Sequence, residues 1–183
     1  MMHLVNILKR MARTALPSET TEMRSIIMLQ RKVHRFSEEE LQAAGERAWG
    51  KKFDGQDDPM YFVSAHDPLP VVKAGPHIIQ VTSIPRRYSG DDQYVLSQLP
   101  QPEQKKAWNE HHACTILDLF NDLSSKAKRI PDRDAYAVLA KLALQLDDPN
   151  CTAIVVPVKN IMLPNDDGAA EQGLRFLINR ELP

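Results

Sequence analysis

The regular alternation of apolar and polar positions begins after residue 24. Residues 25–33 group Ile26, Ile27, Met28, Leu29 and Val33 into a short apolar run, which predicts a first strand. The strongest local signal in the chain follows. Ser37 stands three residues before Glu40, so its hydroxyl can accept from the Glu40 amide while the Glu40 carboxylate reaches back to the Ser37 amide. Glu38, Glu39 and Glu40 together suit the positive end of a helix dipole. Phe36 can staple against Leu41, and Gly50 supplies a stop after Trp49. These features predict a helix over 38–49.

Farther on, the pattern changes between the two periods. Residues 60–64, 71–72 and 77–84 predict strands, the last two joined in a hairpin by Ala74-Gly75-Pro76. Residues 85–93 form a polar loop. Pro102 opens a helix that carries Trp108 and runs to about His111. Residues 113–120 are apolar except at Asp118, as in a buried strand. A helix over 131–146 presents Ala135, Val138, Leu139, Leu142, Ala143 and Leu146 on one stripe. Residues 151–158 form a nearly continuous apolar strand of the kind found at a sheet centre, and a last helix ends near Leu177. This order predicts an α+β fold: a mixed β-sheet of five to six strands with about three helices largely on one face.

The first 16 residues are amphipathic at helical period. Leu4, Ile7, Leu8, Met11 and Ala15 share a stripe, with Lys9, Arg10 and Arg13 opposite. Residues 17–22 have linker composition. Residues 1–24 are therefore expected to be a basic leader and linker, poorly ordered, ahead of one α+β domain over 25–183. Membrane-surface association through residues 1–16 is the competing reading. One short amphipathic stretch binds membranes only marginally, so it ranks lower.

Composition narrows the classes. A chain of 183 residues with 43% hydrophobic and 26% charged residues is neither disordered, collagen-like nor membrane-embedded. Its formal net charge of -1 is not the footprint of a general nucleic-acid binder. The charge is unevenly spread, with seven basic and two acidic residues over 1–35 and three basic and eight acidic over 36–67. Two cysteines make no disulfide framework and no CxxC pair, which favours a reducing, cytoplasmic setting.

Candidate chemistry is sparse. Arg86, Arg87 and Tyr88, followed by Ser89 and Gly90, could hold a phosphate or carboxylate, although Asp91 and Asp92 follow at once. His112 stands four residues after Trp108 and two before Cys114. A Cys114 nucleophile with His112 as base is conceivable at that spacing, but no nucleophile elbow accompanies it. Asp54, Asp57 and Asp58 lack the spacing of a calcium loop. His66-Asp67 has the composition of a turn cap. There is no GxGxxG or P-loop pattern, and no metal or cofactor is expected.

Three further patterns lie between about residues 25 and 157. They are the strand followed by Phe36-Ser37-Glu38-Glu39-Glu40-Leu41 and Trp49-Gly50, then Trp108 and His112 before an apolar strand, then Leu139-Ala140-Lys141 leading to Asp148-Pro149-Asn150. In these the chain resembles a bacterial domain of unknown function family, domain of unknown function 4261. That resemblance implies an order of elements and no activity. The expectation is a cytoplasmic, non-catalytic binding or protein-interaction module. It would take a protein partner or a small anion through the Arg86–Asp92 loop or an exposed strand edge. A small hydrolase or transferase using His112, Cys114 and Arg86/Arg87 is the alternative.

Overall fold

The first described strand is inserted between two strands that follow it by more than eighty residues. The computed structural model describes residues 24–65, 69–88, 92–121, 130–146, 148–166 and 168–179. Strand β1 (Arg24–Gln30) lies between β5 (Ala113–Asn121) and β6 (Cys151–Val156), antiparallel to both. Strands β2 (Tyr61–Ser64), β3 (Val71–Ala74) and β4 (His77–Ile84) extend the sheet beyond β5, and β7 (Ile161–Pro164) closes the other side. The order is β2-β3-β4-β5-β1-β6-β7, and every pairing is antiparallel.

Successive side chains of a strand point to opposite faces, so a run such as Ile26-Ile27-Met28-Leu29 requires cover on both sides. Ile26 and Met28 pack with Leu117, Ile79 and Ile154 under three helices, α1 (Glu38–Trp49), α4 (Asp132–Gln145) and α5 (Ala169–Asn179). Ile27 and Leu29 pack with Cys114, Ala153 and Val155 on the other face. There Leu99, Ala107 and Trp108 complete a smaller core, contributed by α3 (Pro102–Glu110) and by the segment after α2 (Asp92–Gln98).

This is an α+β fold, and it departs from the sequence expectation in four respects. The described sheet has seven strands rather than five or six, and all its pairings are antiparallel. Five helices are described rather than about three, and they divide between the faces three to two. The second face had to be covered because β1 and β6 are apolar at consecutive positions. The missing elements are α2, in the tail of the polar loop, and β7. Pro157 opens a 3-10 turn (Pro157–Lys159), and Asn160 adopts φ 56° in the left-handed region. The chain therefore reverses instead of continuing to residue 158, and β6 is next to the edge rather than central. Of the expected leader and linker, residues 1–23 lie outside the described residues, and Arg24 belongs instead to β1.

Helix α1 forms as expected. Ser37 accepts from the Glu40 amide at 3.2 Å, and the Glu40 carboxylate accepts from the Ser37 amide at 2.7 Å. Gly50, at φ 63°, donates its amide to the Glu46 carbonyl. Both edge strands of the described sheet carry local cover. Asp54 bridges to Phe62 on β2, and the Gly55 amide donates to the Tyr61 carbonyl. On β7, Pro164 lacks a donor, and Gln104 of α3 donates to the Met162 carbonyl at 3.0 Å.

Gly45 sits on the buried face of α1 because Phe53 needs the room. A Cβ there would lie 2.8 Å from two carbons of the fully buried Phe53 ring. Alanine would gain about 1 kcal/mol in helix propensity. Overpacking against an immobile ring costs about 1–3 kcal/mol. Gly45→Ala is expected to lower the urea unfolding midpoint, with Gly45→Val lowering it further; a midpoint raised by alanine would mean that Phe53 moves freely.

Candidate functional site

The C-terminal end of β1 and β4 and the N-terminal end of β5 and β6 meet at one end of the sheet, where the buried polar groups concentrate. β1 finishes there on Gln30, whose side chain is sealed inside. Its amide nitrogen donates to Asp148 Oδ2 at 2.5 Å, and its amide oxygen accepts from the Thr115 hydroxyl at 3.2 Å. Asp148 follows α4 and is also inaccessible at its side chain. It accepts further from the Asn150 amide at 2.9 Å and from Asn150 Nδ2 at 3.2 Å, and it faces His34 Nδ1 at 3.4 Å. His34 Nε2 lies 3.0 Å from Glu40 Oε1, and its ring stacks on Phe36 at 4.2 Å. The Ser83 hydroxyl at the end of β4 donates to the His34 carbonyl at 2.6 Å.

Residues 31–37 thus form a strap over the sheet end, tied down at each step. The Arg31 amide donates to the Asn150 carbonyl, and the His112 amide donates to the Gln30 carbonyl. Arg31 pairs with Glu110 at 2.7 Å. The Glu40 carboxylate that holds the helix cap also meets His34. The Ser37 amide is the main cause of its depressed pKa.

A second polar cluster closes α3 on the opposite face. Arg87 donates to the carbonyls of Trp108, Asn109 and His111 at 2.9, 3.2 and 2.7 Å, and to Asp92 at 3.1 Å. Asp92 also accepts from the Trp108 indole at 3.1 Å. A guanidinium thus supplies the donors that the last turn of a helix lacks. His111 is fully buried beside Trp108, ring centroids 4.7 Å apart. Its Nδ1 donates to the Trp108 carbonyl at 2.5 Å, and its Nε2 accepts from the Tyr88 amide at 3.2 Å. Both ring nitrogens are therefore satisfied in the neutral form. Burial, with Arg87 adding to it, holds this imidazole below its ordinary pKa.

The residues singled out in the sequence are separated by this arrangement. Arg86 is exposed, whereas Arg87 is turned inward as a helix cap. Tyr88 packs against the smaller core, and burial pushes its hydroxyl up to about 12. Ser89, Gly90 and Asp91 lie outside the described residues, as do His66 and Asp67. His112 is exposed, while Cys114 is buried with its thiol pushed up by desolvation to about 11. A thiol so protonated is a poor nucleophile. Cys151 is likewise buried and raised to about 12. Asp54 accepts from the amides of Gln56 and Asp57, so it caps its own loop. Among the described residues no group of three His, Cys, Asp or Glu side chains could hold a metal ion.

Of the two adjacent histidines, the one in contact with Trp108 is His111 rather than His112. His111 is the neighbour of Trp108 at i+3, a spacing as favourable on a helix as the i+4 of His112. Gln30, His34 and Asp148 were missed altogether. Only Asp148-Pro149-Asn150 carried a signal, as a turn; their convergence depends on pairings across more than a hundred residues. A cleft of about 400 Å³ adjoins Asp148, lined in part by Met28, Cys151, Asn165, Leu174 and Arg175. Its polar walls are already engaged, Asn165 with the Cys151 carbonyl and Arg175 with Glu171. No family model, curated protein or solved structure matches the chain.

Two measurements test this description. Asp148→Ala would leave the buried Gln30 amide and the part-buried Asn150 donors without their acceptor and is expected to cost about 3 kcal/mol or more in urea unfolding. A loss below about 0.5 kcal/mol would show that water serves these groups equally well. His111 is the second case. Its pKa in the folded chain is lower than in the unfolded chain, where it is about 6.5. The unfolded chain therefore binds the extra proton, so the His111 contribution is complete above about pH 6.5 and is lost as the pH falls through the folded value. His77, also depressed by burial, acts in the same direction. His111→Gln is expected to flatten, without abolishing, the loss of stability on the acid side of pH 6.5.

Proposed function

We propose that the chain is a non-catalytic cytoplasmic binding module that recognises a protein partner. The observation that carries this reading is that the buried polar side chains clustered at the strap end of the sheet are engaged with the scaffold, with Arg87 Nε the atom left without a hydrogen-bond partner there among the described residues. Arg87, His111, Gln30 and Asp148 each hold two or more elements together. A catalytic constellation needs the reverse, with convergent groups left free to meet a substrate. Cys114 is sealed off, and Arg87 is occupied by four acceptors, which weighs against a hydrolase or transferase using these residues with His112. Asp148 and His34 do form a carboxylate–imidazole pair. The second ring nitrogen meets Glu40 rather than a hydroxyl or thiol. Among the described residues no helix is long and apolar enough to cross a membrane.

The test combines a chemical and a binding arm. Iodoacetamide at neutral pH is expected to leave Cys114 and Cys151 unmodified in the native chain and to alkylate both once it is unfolded in urea. Affinity capture by the full chain from its source cells should recover a stoichiometric protein partner. Rapid native alkylation at Cys114, or turnover of ester or acyl substrates that disappears in Cys114→Ser and His112→Ala, would replace the module with an enzyme.

A further inference from the structure

We infer that the strap end of the sheet is a contact surface for an acidic polypeptide segment, the side chains of Lys32, Arg35 and Arg86 supplying the charge and Val33 an apolar anchor. This deepens the binding-module reading and rests on it.

The topology brings these groups together from separated parts of the chain. Lys32, Val33 and Arg35 belong to the strap, which is fixed to β4 through the bond from Ser83 to the His34 carbonyl. Arg86 lies three residues beyond Ser83, just past the end of β4, where Ile84 pairs with Cys114 at the start of β5. Exposed His112 joins them through the bond from its amide to Gln30.

What distinguishes these cations is that the basic residues beside them have acidic partners, and they have none among the described residues. Arg31 is matched by Glu110, His34 by Glu40 and Asp148, and Arg87 by Asp92. Lys32, Arg35 and Arg86 are all exposed, and among the described residues none of them forms an ion pair. Val33 is 37% exposed, one of four large hydrophobic residues left open to this extent among the described residues. An apolar residue between free cations suits a chain that alternates carboxylates with apolar side chains. A nucleic acid fits less well. Its phosphates repeat along a line and offer no aliphatic side chain to the open Val33.

The strap is also held rigidly. Its backbone is bonded at Arg31 and at His34, and its end is locked by the capping box. A preorganised surface loses less entropy on binding than a mobile loop.

The experiment uses the full chain and a fluorescein-labelled peptide of repeating Glu-Asp-Leu, read by anisotropy at low and at physiological salt. Binding should weaken with salt, as exposed ion pairs do. The triple variant Lys32→Glu, Arg35→Glu, Arg86→Glu should bind at least about tenfold more weakly, a difference of about 1.4 kcal/mol. Val33→Ser alone should weaken binding by a smaller factor. Because all four side chains are exposed, circular dichroism and the urea midpoint should match the parent. Arg133→Glu with Lys159→Glu, at the opposite end of the sheet, serves as the charge control and should leave binding unchanged. The inference fails if the peptide does not bind, if the triple variant binds as well as the parent, if the control weakens it equally, or if inorganic phosphate or a DNA duplex binds more tightly than the peptide. The module reading does not share that fate. It is decided separately, by alkylation and turnover.

Discussion

A glutamine amide buried at the end of the central strand sets the terms for its surroundings. β1 is enclosed between β5 and β6 and covered on both faces, so Gln30 has no water to turn to. An unpaired buried amide costs about 1–3 kcal/mol, a large part of a small domain's stability. Thr115 supplies a donor and Asp148 an acceptor. Asp148 is then itself a buried carboxylate, and it is held by Asn150 and faced by His34. Each demand is met by the next residue outward until the chain of contacts reaches solvent at Glu40. The register shift in the β1–β6 pairing falls at Leu29/Gln30, where this network begins. The extra residue is Thr152, whose hydroxyl donates to the Leu29 carbonyl.

The same requirement explains the strap. Chain leaving β1 must carry His34 back over Asp148 before it can start α1. The helix cap and the histidine contact therefore share one carboxylate, that of Glu40. On the opposite face Arg87 and His111 close the end of α3 by the same logic, with backbone carbonyls as the acceptors. Two arginines that are adjacent in sequence thus have different roles. Arg87 satisfies a helix end, and Arg86 is left in water.

Legibility in the sequence followed the range of the interactions. The capping box and glycine stop of α1 depend on residues close in the chain, and both lie where the pattern placed them. The hairpin of β3 and β4 and the stripe of α4 were legible for the same reason. β7 was not, because its four residues become a strand only after Asn160 reverses the chain. The division of helices between two faces was implicit in consecutive apolar residues of β1. It needed the knowledge that β1 is central, which no local pattern carries. At the candidate site, Arg86 and Arg87 were indistinguishable until the end of α3 was placed beside them. His34 and Asp148 are separated by most of the folded region and meet only through the sheet.

The electrostatics of the strap follow from that internal accounting. Its basic side chains alternate between those that hold the fold and those that do not. Glu110, Glu40 and Asp148 face the strap, and they are taken by Arg31 and His34. Once those carboxylates are engaged, no ion pair forms at Lys32, Arg35 or Arg86 among the described residues. Near-neutral overall charge therefore conceals a local excess over residues 31–35, with the exposed Glu38 and Glu39 set beyond it in the first turn of α1. A charge left free at a rigid end of a sheet, beside an open valine, is the arrangement an interface can use without disturbing the core beneath it.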